Sequence, residues 1–480
     1  DSNSEKLVAA NCYEGLVRIM ADGTIGKGVA TDWNISDDGL TYTFKLRNNS
    51  HWAMFSGHKA VLGENYEDTF DITVKAEDFK FGIERTLSEQ TGSADAPLFS
   101  AVKSISTPDD FTIVFNLSYA DDNFLYALTN PGAMPCDEEF FNLTNGKYGL
   151  DAKYLLCNGP FHVSKWTEKT SVKLAKNNEY NGESSVSPSS VTFYINNDDS
   201  EVADKMNSVT YDVAFLSSSQ FSSIENKKDL NSVAVQNVTY SFIFNQNDNN
   251  YRNKNMRLAF CRSCDTSSLF DSQSDISKAD GIVPPSCKIG GEDYRNGNAA
   301  ELLSYDETLA KKNFNDALLE LGSSSVETTI LCTEQYESFV KQMVQKLQKT
   351  LGVKFVSTVK VVSESDLEAA VNDGNYSVAF YPFKAKSSFA GEIIEGFDQN
   401  NIFGYESDVL SQKIRNIKNN SGSLEGERSA VADAENYLVS EAVIMPVFYE
   451  NSYFVTSKKT SGIYFYSSAD NVCFINAKKS

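Results

Sequence analysis

Three histidines, His51, His58 and His162, are all the imidazole the chain has. A metal centre needs three or four convergent ligands, and no His-Glu-x-x-His pattern occurs. His51 and His58 stand near Trp52 and Phe55, so stacking or surface roles are expected for them. Cys261-Arg262-Ser263-Cys264 is a Cys-x-x-Cys. It stands alone, and Cys287 would leave a structural zinc site one ligand short. No Gly-x-Ser-x-Gly elbow or phosphate-cradling glycine loop is present. The 65 carboxylates are too many for sequence to single out an acid–base pair, which keeps a secreted hydrolase as the rival class. No cofactor and no metal is expected.

The eight cysteines are Cys12, Cys136, Cys157, Cys261, Cys264, Cys287, Cys332 and Cys473. They are spread too thinly for a small disulfide scaffold. Cys136 with Cys157, and Cys287 with Cys261 or Cys264, are candidate bridges. Buried free thiols are the alternative.

The net charge of −22 repels phosphate backbones and disfavours both nucleic acid and a basic membrane-hugging surface. Hydrophobic residues at 41% and charged residues at 22% suit a packed globular chain. Its length of 480 residues predicts two or three lobes. No apolar run reaches the roughly 18 residues of a spanning helix.

The elements that must position any site can be read from periodicity. Trp33 and Ile35, the turn Ser36-Asp37-Asp38-Gly39, then Leu40, Tyr42, Phe44 and Leu46 predict an antiparallel hairpin. Phe79, Ile83 and Leu87 predict a helix over 76–87. Phe111 to Leu117 predicts another strand, entered by Pro108-Asp109-Asp110. Several short strands are expected over 160–245. The clearest α/β signal is 326–381. A strand from Val326 to Leu331 leads to a helix carried by Tyr336, Phe339, Val340, Met343, Val344, Leu347 and Leu351, ended by Gly352. A strand over 353–362, a helix opened by Ser363 and Asp366, and a strand over 376–381 follow. This β-α-β-α-β order implies a partly parallel sheet. A helix near 431–439 leads to a strand from Ile444 to Tyr449, where Pro446 predicts an edge or a bulge.

These residues also carry a resemblance. Tyr13-Glu14-Gly15-Leu16, the block ATDWNISDDGLTYTFKLR from Ala30 to Arg47, and Val74 to Phe79 with Glu84-Arg85 resemble motifs of the family 5 solute-binding proteins. Asn158-Gly159-Pro160-Phe161, Lys176-Asn177 with Tyr180, Tyr211-Asp212-Val213, Phe244-Asn245, Arg257-Leu258-Ala259 and Glu441 to Phe448 continue it in family order. The insertion between Trp52 and Val74, with the pair Cys136 and Cys157, is similar to Gram-positive members. Two departures stand out. Lys75 replaces the family's helix-capping Thr and cannot accept a backbone hydrogen bond, which predicts a weaker helix start. Pro382 stands where oligopeptide binders commonly place an Asp for the peptide amine.

The resemblance implies an α/β and α+β, two-lobed fold of the periplasmic-binding-protein-like type II class (cluster C) with an extra domain. Domain I would combine 1–30, 161–240 and 459–480, domain II would be 31–160, and domain III 241–458. It implies the extracellular, peptide-capturing component of an ABC importer, closing on its ligand by a hinge and delivering it to a permease. It implies a monomer, not an enzyme, held to the cell surface by a lipid anchor upstream of this sequence. An anionic or modified peptide, an oligosaccharide or a metal chelate is the alternative ligand class. The expected ligand contacts are Tyr381, Phe383 and Lys384 in the closing loop with Lys386 beside them, Ser217 and Ser218, and then Asn158, Tyr240 and Asn245.

Overall fold

A computed structural model describes the chain apart from residues 1–2, 21–23, 122, 183–184, 196–198, 267–268, 271–274, 386–388, 399–400, 421–422 and 467–470. It divides into two compact units. One comprises Asp1–Leu216, Gln220–Val233 and Phe454–Ser480, and the other Ser217–Ser219 and Ala234–Tyr453. The long strands Leu230–Phe244 and Ile444–Ser457 each change unit partway along their length.

The first unit contains a four-stranded antiparallel sheet in the order Ala30–Ile35, Thr41–Leu46, Thr112–Leu117, Val102–Asp109. Alternation explains its buried face: Tyr42, Phe44, Leu46, Ile113, Phe115 and Leu117 point into one core. The helix Ala76–Leu87 adds Phe79 and Ile83 to that core, both fully buried. Leu87, expected to join them, is exposed in the helix's last residue. The helix start is better tied than Lys75 predicted. The Asp78 carboxylate reaches back to accept the Lys75 N–H at 2.7 Å, which supplies the returning half of a capping box. Lys75 Nζ instead pairs with Asp71 at 3.0 Å.

The recognisable motifs of this unit meet in one buried knot. Glu14 accepts a charged hydrogen bond from Arg47 and one from the Tyr180 hydroxyl at 3.1 Å. Asn158 grips the Glu14 backbone from both sides, accepting its N–H at 3.0 Å and donating to its carbonyl at 2.8 Å. Asn177 Nδ2 donates to the Gly159 carbonyl at 2.9 Å. Gly159 is required by this packing, since a Cβ there would lie 2.7 Å from backbone atoms of Cys12 and Tyr13.

The second unit is built on a mixed sheet in the order Ile444–Ser457, Leu230–Phe244, Val378–Lys384, Val326–Cys332, Phe355–Val361. Val326–Cys332 runs parallel to both Val378–Lys384 and Phe355–Val361. Val378–Lys384 is antiparallel to Leu230–Phe244. The sheet's central strand Val378–Lys384 begins with three buried residues in a row, as strands of parallel sheets generally do, while Phe355–Val361 at the end is largely exposed. Phe242, Phe244, Ile330, Val378, Phe380 and Phe448 face one core, covered by helices including Glu337–Leu351. Ile243, Leu331 and Ala379 face the other, covered by helices including Leu424–Ser440. Gly352, at φ +79°, ends the 337–351 helix. Ser363 Oγ accepts the Asp366 N–H at 3.1 Å and caps the helix Glu364–Asn372.

The strand bearing Pro446 is not an edge. It lies between Val213–Ser217 and Leu230–Phe244, and Ile276–Lys278 also pairs with it. Of the edge-or-bulge expectation the edge fails: Pro446 is two residues from the strand's start, ahead of the Phe448-to-Glu450 stretch that pairs with Ile276–Lys278. Its missing N–H costs no bond of that ladder.

Arg47→Ala would strand the Glu14 carboxylate, whose side chain is only 4% exposed. Denaturant unfolding is expected to show a loss of about 3–5 kcal/mol, the scale for breaking one side of a buried pair.

Candidate functional site

The register of the strand pair 230–244 and 378–384 decides which expected contact residues can act together. Tyr240 lies opposite Pro382, Ser241 opposite Tyr381, Thr239 opposite Phe383 and Val238 opposite Lys384. Side chains alternate along a strand, so Tyr381 and Phe383 share one face while Tyr240 and Lys384 take the other. Tyr381 and Phe383 are in edge contact at 5.6 Å. Phe383 stacks further on Phe397 and Phe403. Both are half-buried against the core beneath them.

On the opposite face Tyr240 enters an aromatic wall. Its ring centroid is 4.4 Å from that of Tyr336, 5.5 Å from Phe380 and 5.1 Å from Phe448. Tyr336 donates its hydroxyl proton to Glu450, and Gln335 Nε2 lies 3.4 Å from the same carboxylate. Burial raises the Glu450 carboxyl above its usual range, opposed by the Tyr336 and Gln335 hydrogen bonds and by the charge of Lys384. Burial and the Glu450 charge in turn hold the Tyr240 hydroxyl up. At one end of this face the paired Tyr240 and Tyr336 rings adjoin the half-buried Glu450 carboxylate, on which the charges of Glu364 and of exposed Lys384 act. Tyr336 and Glu450 were not among the expected contacts. Tyr336 reads as one more apolar position of a helix, and Glu450 directly follows the apolar run ending at Tyr449.

Next along that strand is a polar row. Ser218 Oγ donates to the Asn451 carbonyl at 2.7 Å. Gln236 Nε2 bridges Asn451 Oδ1 at 2.7 Å and Ser277 Oγ at 2.8 Å. Ser217 and Ser219 share a hydrogen bond of 2.9 Å. The serine segment is thus anchored beside the strand that carries Glu450.

The remaining expected contacts lie elsewhere. Asn158 is fixed to Glu14 in the first unit. Asn245 donates to the carbonyls of Gly374 and Tyr376, both at 2.8 Å, and holds the entry to the 378–384 strand. Lys386 lies outside the described residues. A separate cavity of about 310 Å³ is lined by Thr329, Leu331, Lys360, Asn375, Tyr376 and Ser377, none of them an expected contact.

All eight cysteines are free thiols, so Cys136, Cys157, Cys261 and Cys287 form none of the candidate bridges in this structure. Burial alone suits a thiol, which packs as a small apolar group. Among the described residues no group of three or more metal-ligating side chains occurs, and no helix is long and apolar enough to cross a membrane.

Two of the three histidines, His58 and His162, make ring contacts with Phe55. Phe55 lies between His58 at 4.3 Å and His162 at 5.5 Å. His58 is 1% exposed, and Nε2 donates to the Leu155 carbonyl at 2.9 Å. Burial lowers its pKa to about 4, against an ordinary value of 6.5. His162 is held down for the same reason.

A depressed folded-state pKa gives stability that is present above the unfolded value and lost as pH falls toward the folded one. Between pH 7 and pH 4.5, His58 is expected to account for a loss of about 2–3 kcal/mol. Denaturant unfolding of His58→Gln, which keeps a donor and does not titrate, should show that much less acid sensitivity than the parent.

Comparison with known proteins places this geometry. The model for bacterial extracellular solute-binding proteins, family 5 Middle, matches residues 24–403. The dipeptide-binding protein DppE of Bacillus subtilis (strain 168) is 23% identical over 476 residues, covering 94% of this chain and 84% of its own. Listeria monocytogenes OppA, solved bound to peptide, superposes with a TM-score of 0.79 at 20% identity over 100% of this chain and 95% of its own. AgaA of A. tumefacien R10, solved with agropinic acid, gives 0.76 at 17% identity over 100% and 95%. The strand orders, the paired motif residues and the match across most of the chain agree: the chain belongs to the bacterial extracellular solute-binding proteins of family 5.

Proposed function

We propose that this protein is the extracellular substrate-binding component of an ABC importer, and that it captures peptides and passes them unaltered to a permease. The observation that carries this reading is the family match over residues 24–403. The relative DppE is a dipeptide-binding protein, and binding rather than catalysis is the role its name states. We read the chain as no enzyme, working as a monomer on the outside of the cell and tethered by a lipid anchor upstream of this sequence. The division into domains 1–30 with 161–240 and 459–480, 31–160, and 241–458 belongs to the same reading. Capture would proceed by closure, with the two unit-changing strands 230–244 and 444–457 acting as the hinge.

The ligand end of the second unit supports a zwitterion. The Lys384 charge acts on the Glu450 carboxylate, and we read the two as partners for one ligand charge of each sign. Complementary charges of that kind fix a ligand's direction. Tyr240, Tyr381, Phe383, Ser217 and Ser218 would add apolar area and hydroxyl contacts around it. The second reading, an anionic non-peptide ligand, is favoured by Pro382 in place of the usual acidic residue and by the agropinic acid bound to the same fold in AgaA.

Native mass spectrometry of the purified protein should show a co-purified peptide. Thermal-shift titration with that peptide should stabilise the fold by about 2.7 kcal/mol at a hundredfold excess over Kd. Lys384→Ala should weaken anionic ligands and peptide carboxylates about tenfold, or ~1.4 kcal/mol. Recovery of a cleaved ligand, or stabilisation only by carboxylates lacking an amine, would replace the peptide reading.

A further inference from the structure

Cys12 closes the first helix, Asn3–Cys12, and Cys157 immediately precedes the Asn158-Gly159-Pro160 turn. Their backbones run side by side. The Gly159 N–H donates to the Cys12 carbonyl at 2.8 Å. Asn158 holds Glu14 in both directions, at 3.0 Å and 2.8 Å. The Cys157 carbonyl accepts the Ala53 N–H at 2.7 Å, so this turn is fixed from its other side too. Both cysteines are 1% exposed, and the Cys157 thiol adds to the burial that raises the Cys12 thiol well above its ordinary range.

Two other thiols could compete. Cys136 is engaged by Arg85, whose Nη1 lies 3.6 Å from its sulfur, and by Tyr148. Cys473 sits between Val472 and Phe474, whose backbone groups are held by the Asn11 side chain at 2.7 Å and 3.1 Å. Neither has a backbone bond that aligns it with its rival partner, as Gly159 aligns Cys157 with Cys12.

We propose that Cys12 and Cys157 are a disulfide-forming pair that staples the N-terminal helix to the turn carrying Asn158. The oxidant is a small-molecule or protein disulfide of the extracellular space, the compartment in which such bonds persist. One cysteine thiolate attacks a sulfur of that disulfide and releases one thiolate. The second cysteine then attacks the mixed disulfide and releases the other. Two protein thiols become one S–S bond, the oxidant becomes two thiols, and the two protons lost from cysteine end on the released thiolates. Burial shields both sulfurs in the folded chain, which places the exchange during folding. The cross-link encloses in sequence all four strands of the first unit's four-stranded sheet, so it removes unfolded-state freedom from a long loop.

The test is refolding of the whole reduced chain in a mixture of oxidised and reduced glutathione. Remaining thiols are then alkylated and the chain is digested without reductant. The expected product is a Cys12–Cys157 cross-linked peptide about two mass units below the sum of its parts, with a Tm that falls on addition of reductant. The double variant Cys12→Ser with Cys157→Ser should lose that reductant sensitivity. Alkyl label on both Cys12 and Cys157, or a link from Cys157 to Cys136 or from Cys12 to Cys473, overturns the pairing. Mapping the parent protein decides the matter even if the variant folds poorly.

Discussion

The Glu14 carboxylate is the constraint on which the first unit turns. A buried charge is tolerated only when paired and hydrogen-bonded. Glu14 meets that condition by drawing in three segments far apart in the chain. Arg47 comes from the end of the strand Thr41–Leu46, Tyr180 from the turn after Ser171–Lys176, and Asn158 from the turn before Phe161–Thr167. Each brings an element with it. The four-stranded sheet and the 161–194 sheet are therefore both referenced to one carboxylate and its backbone. Burial holds the Tyr180 hydroxyl in its protonated form, so it remains a donor across the physiological range.

The second unit solves the same problem with a cation. Arg257 is 2% exposed and has no carboxylate partner among the described residues. Its guanidinium donates to the backbone carbonyls of Ala442 at 3.0 Å, Tyr251 at 2.7 Å, Arg252 at 3.0 Å and Glu441 at 3.1 Å. Five fixed donors suit such a set of carbonyls. The contact ties the 254–262 helix to the bend at Ala442, whose φ of +50° marks the turn into the strand Ile444–Ser457. Glu435 does similar work nearby, accepting from Ile282 and Val283 N–H at 2.7 Å and 2.9 Å and pairing with Arg295.

These ties separate what sequence could and could not show. Glu14, Arg47, Asn158, Asn177, Tyr180, Arg257 and Asn245 were all marked by motif, because a buried polar tie needs one residue type at one place. That they bond to one another was not legible, since nothing local reports a partner 144 residues away. The elements over 326–384 were legible because period and caps agree. Leu87 and Pro446 misled because a single residue says little about the last turn of a helix or the neighbours of a strand. The site was harder still. Tyr381, Phe383 and Lys384 are consecutive or nearly so, yet alternation sends the aromatic pair and the lysine to opposite faces. Glu450 had no motif, and only the fold brings it to Tyr336.

The cores of the two units draw on separate stretches of the chain. One large core draws only on residues between Leu16 and Leu156. The two others draw only on residues between Phe242 and Phe448. Interiors are close-packed and resist deformation, so a motion that leaves each core intact is cheap and one that crosses a core is not. The chain changes unit at 216/217, 219/220, 233/234 and 453/454, and all four points lie outside the core members. Glu450, Lys384 and the Ser217-to-Ser219 row lie outside all three cores.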